Sequence, residues 1–222
     1  KDHVRKSVNE AKVNTHWNHP NDAWIEAGDR FVDALLTPAT GREFLASFVP
    51  RAQRLAYLGL VNSLAQVVLK ITSPGVPDFY QGCELWNHSL VDPDNRGLVV
   101  WEHAATLAAE ARATSWRELL RQWKSGAVKL RVTSELLHFR REQIALFQSG
   151  SYEPLAAEGR FADRLIGFSR SQANSGVVVL VPRLTASLGC PPVGLVWEDT
   201  ALTLPARRGG DAEFRYSRCR RR

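Results

Sequence analysis

Pro74-Gly75-Val76-Pro77-Asp78-Phe79-Tyr80-Gln81-Gly82-Cys83-Glu84-Leu85 interrupts a chain whose first 148 residues or so are otherwise rich in helical pattern. Its two prolines rule out a regular helix, because each lacks the backbone N–H and its ring collides with the preceding turn. The run reads instead as a short strand over residues 72–79 that opens into a glycine-containing loop.

Helical grammar lies on both sides. Upstream, Val4, Val8 and Ala11 sit at helical spacing before a turn at Asn18-His19-Pro20-Asn21. A second helix is expected over residues 22–36, with Trp24, Ala27, Phe31, Ala34 and Leu35 as its apolar stripe and Thr37-Pro38 as its stop. Thr40 and Glu43 have capping-box spacing. Residues 53–69 are apolar and nearly unbroken, as in a helix packed on several sides. Downstream, residues 83–101 are loop-rich, and Asp92-Pro93-Asp94-Asn95-Arg96-Gly97 is dense in turn formers. Helices follow over 102–112, from the Ser115/Glu118 capping pair through Trp123, and over 132–147 with Leu136, Leu137, Phe139, Ile144 and Phe147. Beyond Gly150 the pattern changes to short β-prone runs near 152–155, 164–170, 177–184 and 200–204. An α-rich module over 1–148 followed by an all-β module over 149–205 is the expected organisation, without internal repeats.

Composition narrows the class. The chain has 222 residues and 44% apolar content, enough for one or two real cores. No stretch approaches the roughly 20 consecutive apolar residues of a membrane span. The start, Lys1-Asp2-His3-Val4-Arg5, lacks the apolar region of a secretory signal, and the absence of any methionine suggests a fragment or a processed chain. Cys83, Cys190 and Cys219 show neither metal spacing nor a disulfide framework, which points to free thiols in a reducing cytoplasm. Residues 206–222 carry seven arginines and supply +5 of the net +6, so the basic charge is a terminal tail, aberrant or disordered, rather than a nucleic-acid-binding face. His16, His19, His88 and His103 form no zinc set, and there is no phosphate-binding glycine loop, so no metal and no cofactor is expected.

The pattern Gly75-x-Pro77-x-x-Tyr80-x-Gly82-x-Glu84 resembles the eighth barrel strand and following loop of the α-amylase family, glycoside hydrolase family 13. The longer run from Pro74 through Glu84-Leu85-Trp86-Asn87-His88-Ser89-Leu90-Val91-Asp92-Pro93-Asp94-Asn95-Arg96 is more specific and resembles the maltooligosyltrehalose synthases almost residue for residue. Glu10 to Asn21, Asn62-Ser63-Leu64, Leu69 to Ser73, residues 136–152, Val181-Pro182-Arg183-Leu184 and Trp197-Glu198-Asp199-Thr200 extend the likeness to about residues 1–205. Cys83 departs from it, since threonine is expected there, and residues 206–222 match nothing in the family.

The resemblance implies the C-terminal end of a TIM-type (β/α)8 barrel with a helical insertion, followed by a truncated antiparallel β-sandwich. It implies a trehalose-biosynthesis enzyme, an isomerase that converts the reducing-end α-1,4 linkage of a maltooligosaccharide into an α,α-1,1 linkage by intramolecular transglycosylation. Such retaining chemistry uses a carboxylate nucleophile and an acid/base about 5 Å apart. In the family both lie upstream of the matching segment, as does a supporting His-Asp pair, and no His-Asp dipeptide occurs here. No catalytic residue is therefore assigned, and the chain alone is expected to be inactive without the missing N-terminal barrel portion. Alternatives are another α-amylase-family transglycosylase or hydrolase, or a non-catalytic glucan-binding fragment.

Tyr80, Glu84, Trp86 and Arg96 are the candidate substrate-binding residues, because sugar sites combine aromatic surface with charged hydrogen-bonding groups. Each has a second reading. Tyr80 suits a packed strand end, and Glu84 a loop-stabilising ion pair. Asp92 and Asp94 suit a turn that bonds its own backbone, or a frame that carries Arg96 to a sugar hydroxyl or a site carboxylate. Trp17 and Trp24 read as core, which leaves Trp86 as the better stacking candidate.

Overall fold

The computed structural model describes residues 1–88, 97–173, 175–189 and 191–204. The chain divides into two compact units between Tyr57 and Leu58. The first holds helix α1 (Asp2–Ala11), helix α2 (Asp22–Leu36) and the start of helix α3 (Arg42–Thr72).

A buried polar chain shapes the α1–α2 corner. Asn9 and Thr15 are both buried, and the Thr15 hydroxyl donates to Asn9 Oδ1 at 3.0 Å while accepting the Asn21 amide at 2.9 Å. Asn21 in turn caps α2 by accepting the Trp24 amide at 3.1 Å, which relieves one free donor of the first turn. Lys12 ends α1 in the left-handed region, φ 54°. Arg5 of α1 grips Asp29 of α2 through both carboxylate oxygens.

Helix α2 has the expected limits, but most of its expected inner stripe faces outward: Trp24, Ala27, Phe31 and Ala34 are exposed, and of the five only Leu35 is not. Trp24 is 46% exposed and Phe31 64%, whereas Ile25, Gly28, Val32 and Leu35 are only partly exposed. Trp17 is likewise exposed, with its indole N–H on Glu10. The core reading of both tryptophans is therefore corrected: within this unit no element covers that side of α2. The Thr40 cap is also corrected. Helix α3 begins at Arg42, so Thr40 lies one residue too early, and its hydroxyl donates back to Ala34 O at 2.5 Å. Gly41 follows because a Cβ there would lie 1.9 Å from Leu35 O.

The second unit takes the rest of α3, helix α4 (Trp101–Ala113), helix α5 (Trp116–Arg121), a 3₁₀ turn (Trp123–Ser125), helix α6 (Ala127–Glu142) and helix α7 (Ile144–Ser149). Its core includes Leu60, Val61, Val67, Ile71, Leu119, Val128, Leu146 and Phe147. By length and composition α3 could cross a membrane, and its second half contributes Leu60, Val61, Ala65, Val67 and Ile71 to this core. Ser115 caps α5 as expected, accepting the Glu118 amide at 3.2 Å, but α5 stops at Arg121. The single helix expected over 132–147 is two: α6 starts five residues earlier, and the path breaks at Gln143 (φ −105°, ψ 37°) so that Leu146 and Phe147 turn inward.

The expected strand over 72–79 is absent. Ile71 and Thr72 remain in α3, and residues 76–80 are neither helix nor strand. A strand exists only through a neighbour that completes its ladder, and no described residue pairs with this run.

After α7 come β1 (Glu153–Leu155), β2 (Ala157–Glu158), β3 (Leu165–Gln172), β4 (Ser175–Pro182) and β5 (Ala201–Leu202). They form a three-stranded antiparallel sheet ordered β1-β3-β4 and a two-stranded sheet β2-β5. The β3–β4 hairpin is in register from Leu165↔Pro182 to Gln172↔Ser175, burying Phe168, Val179 and Val181. Gly167 sits mid-strand because a Cβ would come within 2.9 Å of Leu202 Cδ2 and 3.0 Å of Leu180 Cδ2. The β-run expected over 177–184 ends at Pro182, and Leu184 turns left-handed at φ 50°.

Two arginines tie the elements of this unit together, Arg170 from the sheet to α7 and Arg140 from α6 to the end of α3. Arg170 of β3, 2% exposed, donates to the carbonyls of Phe147 and Gly150 at 3.0 Å and of Ser151 at 3.3 Å. These are the open carbonyls at the end of α7, where a cation is favoured. Arg140 of α6 does the same for α3, donating to Ile71 O and Gly75 O. Burial, and then the charge of Arg170, hold the Arg140 guanidinium below its ordinary range.

Candidate functional site

The candidate site grows from the end of α3. Arg140 fixes the carbonyls of Ile71 and Gly75, and Lys70 fixes Asp78 O at 2.8 Å while its ammonium lies 3.9 Å from the Phe79 ring centre. Between these anchors Val76 is 93% exposed. The chain then presents Tyr80, half exposed, and turns back as the Cys83 amide bonds Tyr80 O at 3.1 Å. Gly82 adopts φ +84° in that turn, where a Cβ would also meet Val99 Cγ2 at 3.1 Å.

The next three residues are held from α6 and the turn before it. The Trp86 indole N–H donates to Trp123 O at 2.6 Å. Lys129, 8% exposed, donates to Leu85 O at 2.8 Å and stands 5.6 Å from the Trp86 ring centre. Burial pulls the Lys129 ammonium below the usual lysine range and Lys70 adds to this, while Cys83 and Glu84 act in the opposite direction. Gly126, at φ +80°, lets the loop approach closely: a Cβ there would be 3.1 Å from Leu85 Cδ2 and 3.4 Å from Trp86 N.

Three of the four candidate residues, Tyr80, Glu84 and Trp86, thus share one loop. Tyr80 offers open aromatic surface. Glu84 is partly exposed and lies in the field of Lys129. Trp86 is partly buried with its N–H engaged, so only part of the indole faces outward. Arg96, with Asp92 and Asp94, lies outside the described residues. Sequence reasoning missed Trp123, Gly126 and Lys129. The available signal was a lysine within the apolar run Ala127-Val128-Lys129-Leu130. Among the described residues no group of His, Cys, Asp and Glu is arranged to hold a metal ion.

No family model matches the chain. A putative maltooligosyl trehalose synthase from Mycobacterium tuberculosis (strain CDC 1551 / Oshkosh) is 33% identical over 210 residues, covering 95% of this chain and 24% of that protein. Among solved structures, maltooligosyltrehalose synthase from Arthrobacter ramosus superposes with TM-score 0.69 and 33% identity, over 89% of this chain and 24% of that one. A hypothetical maltooligosyl trehalose synthase of Sulfolobus tokodaii gives TM-score 0.64 and 32% identity over 82% of this chain. The chain spans about a quarter of the length of the curated relatives it matches.

Proposed function

We propose, from the premise that the chain belongs to the maltooligosyltrehalose synthase family, that it supplies the acceptor side of a trehalose-forming site. Residues 1–148 are then the closing part of a (β/α)8 barrel with a helical insertion, and residues 149–205 an incomplete β domain. The observation that carries this is the exposed, unpaired run Val76 to Tyr80, which lacks a ladder yet leads into an anchored loop holding Tyr80, Glu84 and Trp86. That is how a barrel strand looks without its neighbours, and barrel enzymes work at the loops that follow their strands.

In this reading the nucleophile and the acid/base stand in the three quarters of the relatives' length that the chain does not span. They open the terminal α-1,4 bond with retention. The freed glucose is held, turned, and joined through its anomeric hydroxyl to give the α,α-1,1 linkage. Tyr80 packs a pyranose face, Glu84 accepts hydroxyl protons, Trp86 offers its outer edge, and Arg96 bonds a hydroxyl or braces a carboxylate. The site excludes water, so that the sugar is a better acceptor than the solvent. The substrate is a maltooligosaccharide, the setting a cytoplasmic one, and no cofactor takes part.

The test joins this chain to the upstream part of the Arthrobacter ramosus relative and follows free glucose against trehalosyl product. Arg96→Ala should cost about 2–4 kcal/mol of transition-state stabilisation, as for loss of one preorganised donor. Glu84→Gln should shift the products toward hydrolysis, because a loosely held acceptor competes less well with water. Unchanged rates and ratios in both would remove the loop from the site. The chain by itself should not turn over maltopentaose.

A further inference from the structure

We infer that Lys129 is a positioning residue for the trehalosyl-forming step: from α6 it clamps the Leu85–Trp86 backbone and so sets where Glu84 stands. The inference rests on the acceptor-loop reading above. A lysine is among the side chains least often buried without a charged partner, because its ammonium loses hydration that a neutral acceptor only partly replaces. Lys129 is 8% exposed and among the described residues spends its charge on one carbonyl, Leu85 O at 2.8 Å, and on the Trp86 ring at 5.6 Å. A leucine or methionine would fill the same space without that cost. What the ammonium adds is directional hold on one peptide.

Two further contacts converge on the same place from the same turn. Trp123 O takes the Trp86 N–H at 2.6 Å, and Gly126, left-handed, leaves room for Leu85 and the Trp86 amide within 3.1 and 3.4 Å of where a Cβ would stand. Trp86 is therefore held at its ring nitrogen, while Leu85 is held at its carbonyl. Glu84, one residue earlier, has its backbone position fixed by this clamp, with its carboxylate in the field of the same ammonium. Tyr80 has no such hold from α6 among the described contacts. The loop is thus anchored at Leu85 and Trp86, next to Glu84, and small displacements there matter, since misplacing a reacting group by about 1 Å can cost about a hundredfold in rate.

The test has two readings on the same variants. In the chain itself, Lys129→Met should raise amide hydrogen exchange at residues 85–87 by tenfold or more, while the exchange of core amides in α6 is unchanged. In an active fusion with the upstream part of the Arthrobacter ramosus relative, Lys129→Met should lower kcat tenfold or more with little change in KM, and raise free glucose relative to trehalosyl product. Trp86→Phe replaces the indole by a smaller phenyl and removes the N–H bonded to Trp123 O, so it should move both readings in the same direction even if the lysine variant folds poorly. Unchanged exchange at residues 85–87 would overturn the clamp. Loosened exchange with an unchanged product ratio, while Glu84→Gln does change it, would overturn the positioning role and leave the acceptor-loop reading standing. Silence of Glu84→Gln as well would sink both.

Discussion

The guanidinium of Arg170 reaches the carbonyl of Phe147, 23 residues earlier in the chain, at 3.0 Å. It stacks near the same phenyl ring, 5.6 Å from its centre, and Arg140 approaches that ring to 5.1 Å. One aromatic side chain thus receives a cation from the helical layer and another from the sheet. Because both arginines are bonded to carbonyls rather than carboxylates, they act as end caps: Arg140 for α3, Arg170 for α7.

Arg170→Met is therefore expected to destabilise the second unit by about 2–4 kcal/mol, since the aliphatic stem is retained but buried carbonyls lose their donor. Urea unfolding followed by circular dichroism measures it. A loss below about 1 kcal/mol would mean that water replaces the guanidinium without cost.

Gly126→Ala tests the tight approach of the loop to α6. The left-handed φ and the 3.1 Å contact with Leu85 Cδ2 act together, and a cost of about 1–2 kcal/mol is expected. Trp86 fluorescence should change with it, because the side chain sits directly beyond the displaced peptide.

Ser115→Ala removes the α5 cap, an accepted bond of 3.2 Å from the Glu118 amide. The expected loss is about 1 kcal/mol. Ser115→Asp should restore most of it, since aspartate caps as well as serine and adds a favourable charge to the first turn.

Asp29 gives a pH dependence. Its bond from Arg5 holds the carboxyl below its ordinary value of 3.8. The contribution to stability is then fully present above pH 3.8 and is lost as pH falls through the lower folded value. Thermal unfolding between pH 6 and pH 2 should show this acid loss in the parent chain, reduced in Asp29→Asn. Parallel curves for the two proteins would show that the pair contributes nothing.

Local chemistry was legible in the sequence. Asn21 and Thr37-Pro38 bound α2, Ser115 opens α5, and the hairpin runs stand out because their signals lie within a few residues. What failed depended on distant partners. The run 72–79 has strand composition but no neighbour to pair with among the described residues, and the break at Gln143 has no glycine or proline to announce it. It follows from the burial of Leu146 and Phe147. The apolar face of α2 was visible as a pattern, but a pattern does not say what covers it. The same holds at the site: Tyr80, Glu84 and Trp86 were found as a loop, while the groups that hold it lie 37 and 44 residues away.

The run Val76 to Tyr80 also bears on aggregation. A partly exposed segment of strand composition can serve as a template on which chains stack into fibrils. Here its pairing groups are already partly spent: Arg140 occupies Gly75 O, Pro77 has no N–H to give, Lys70 occupies Asp78 O, and the Cys83 amide occupies Tyr80 O. An arriving strand finds an interrupted ladder and must displace two side chains to complete it. A ladder interrupted in this way disfavours cross-β stacking, so the same anchors that shape the loop also act against polymerisation through it.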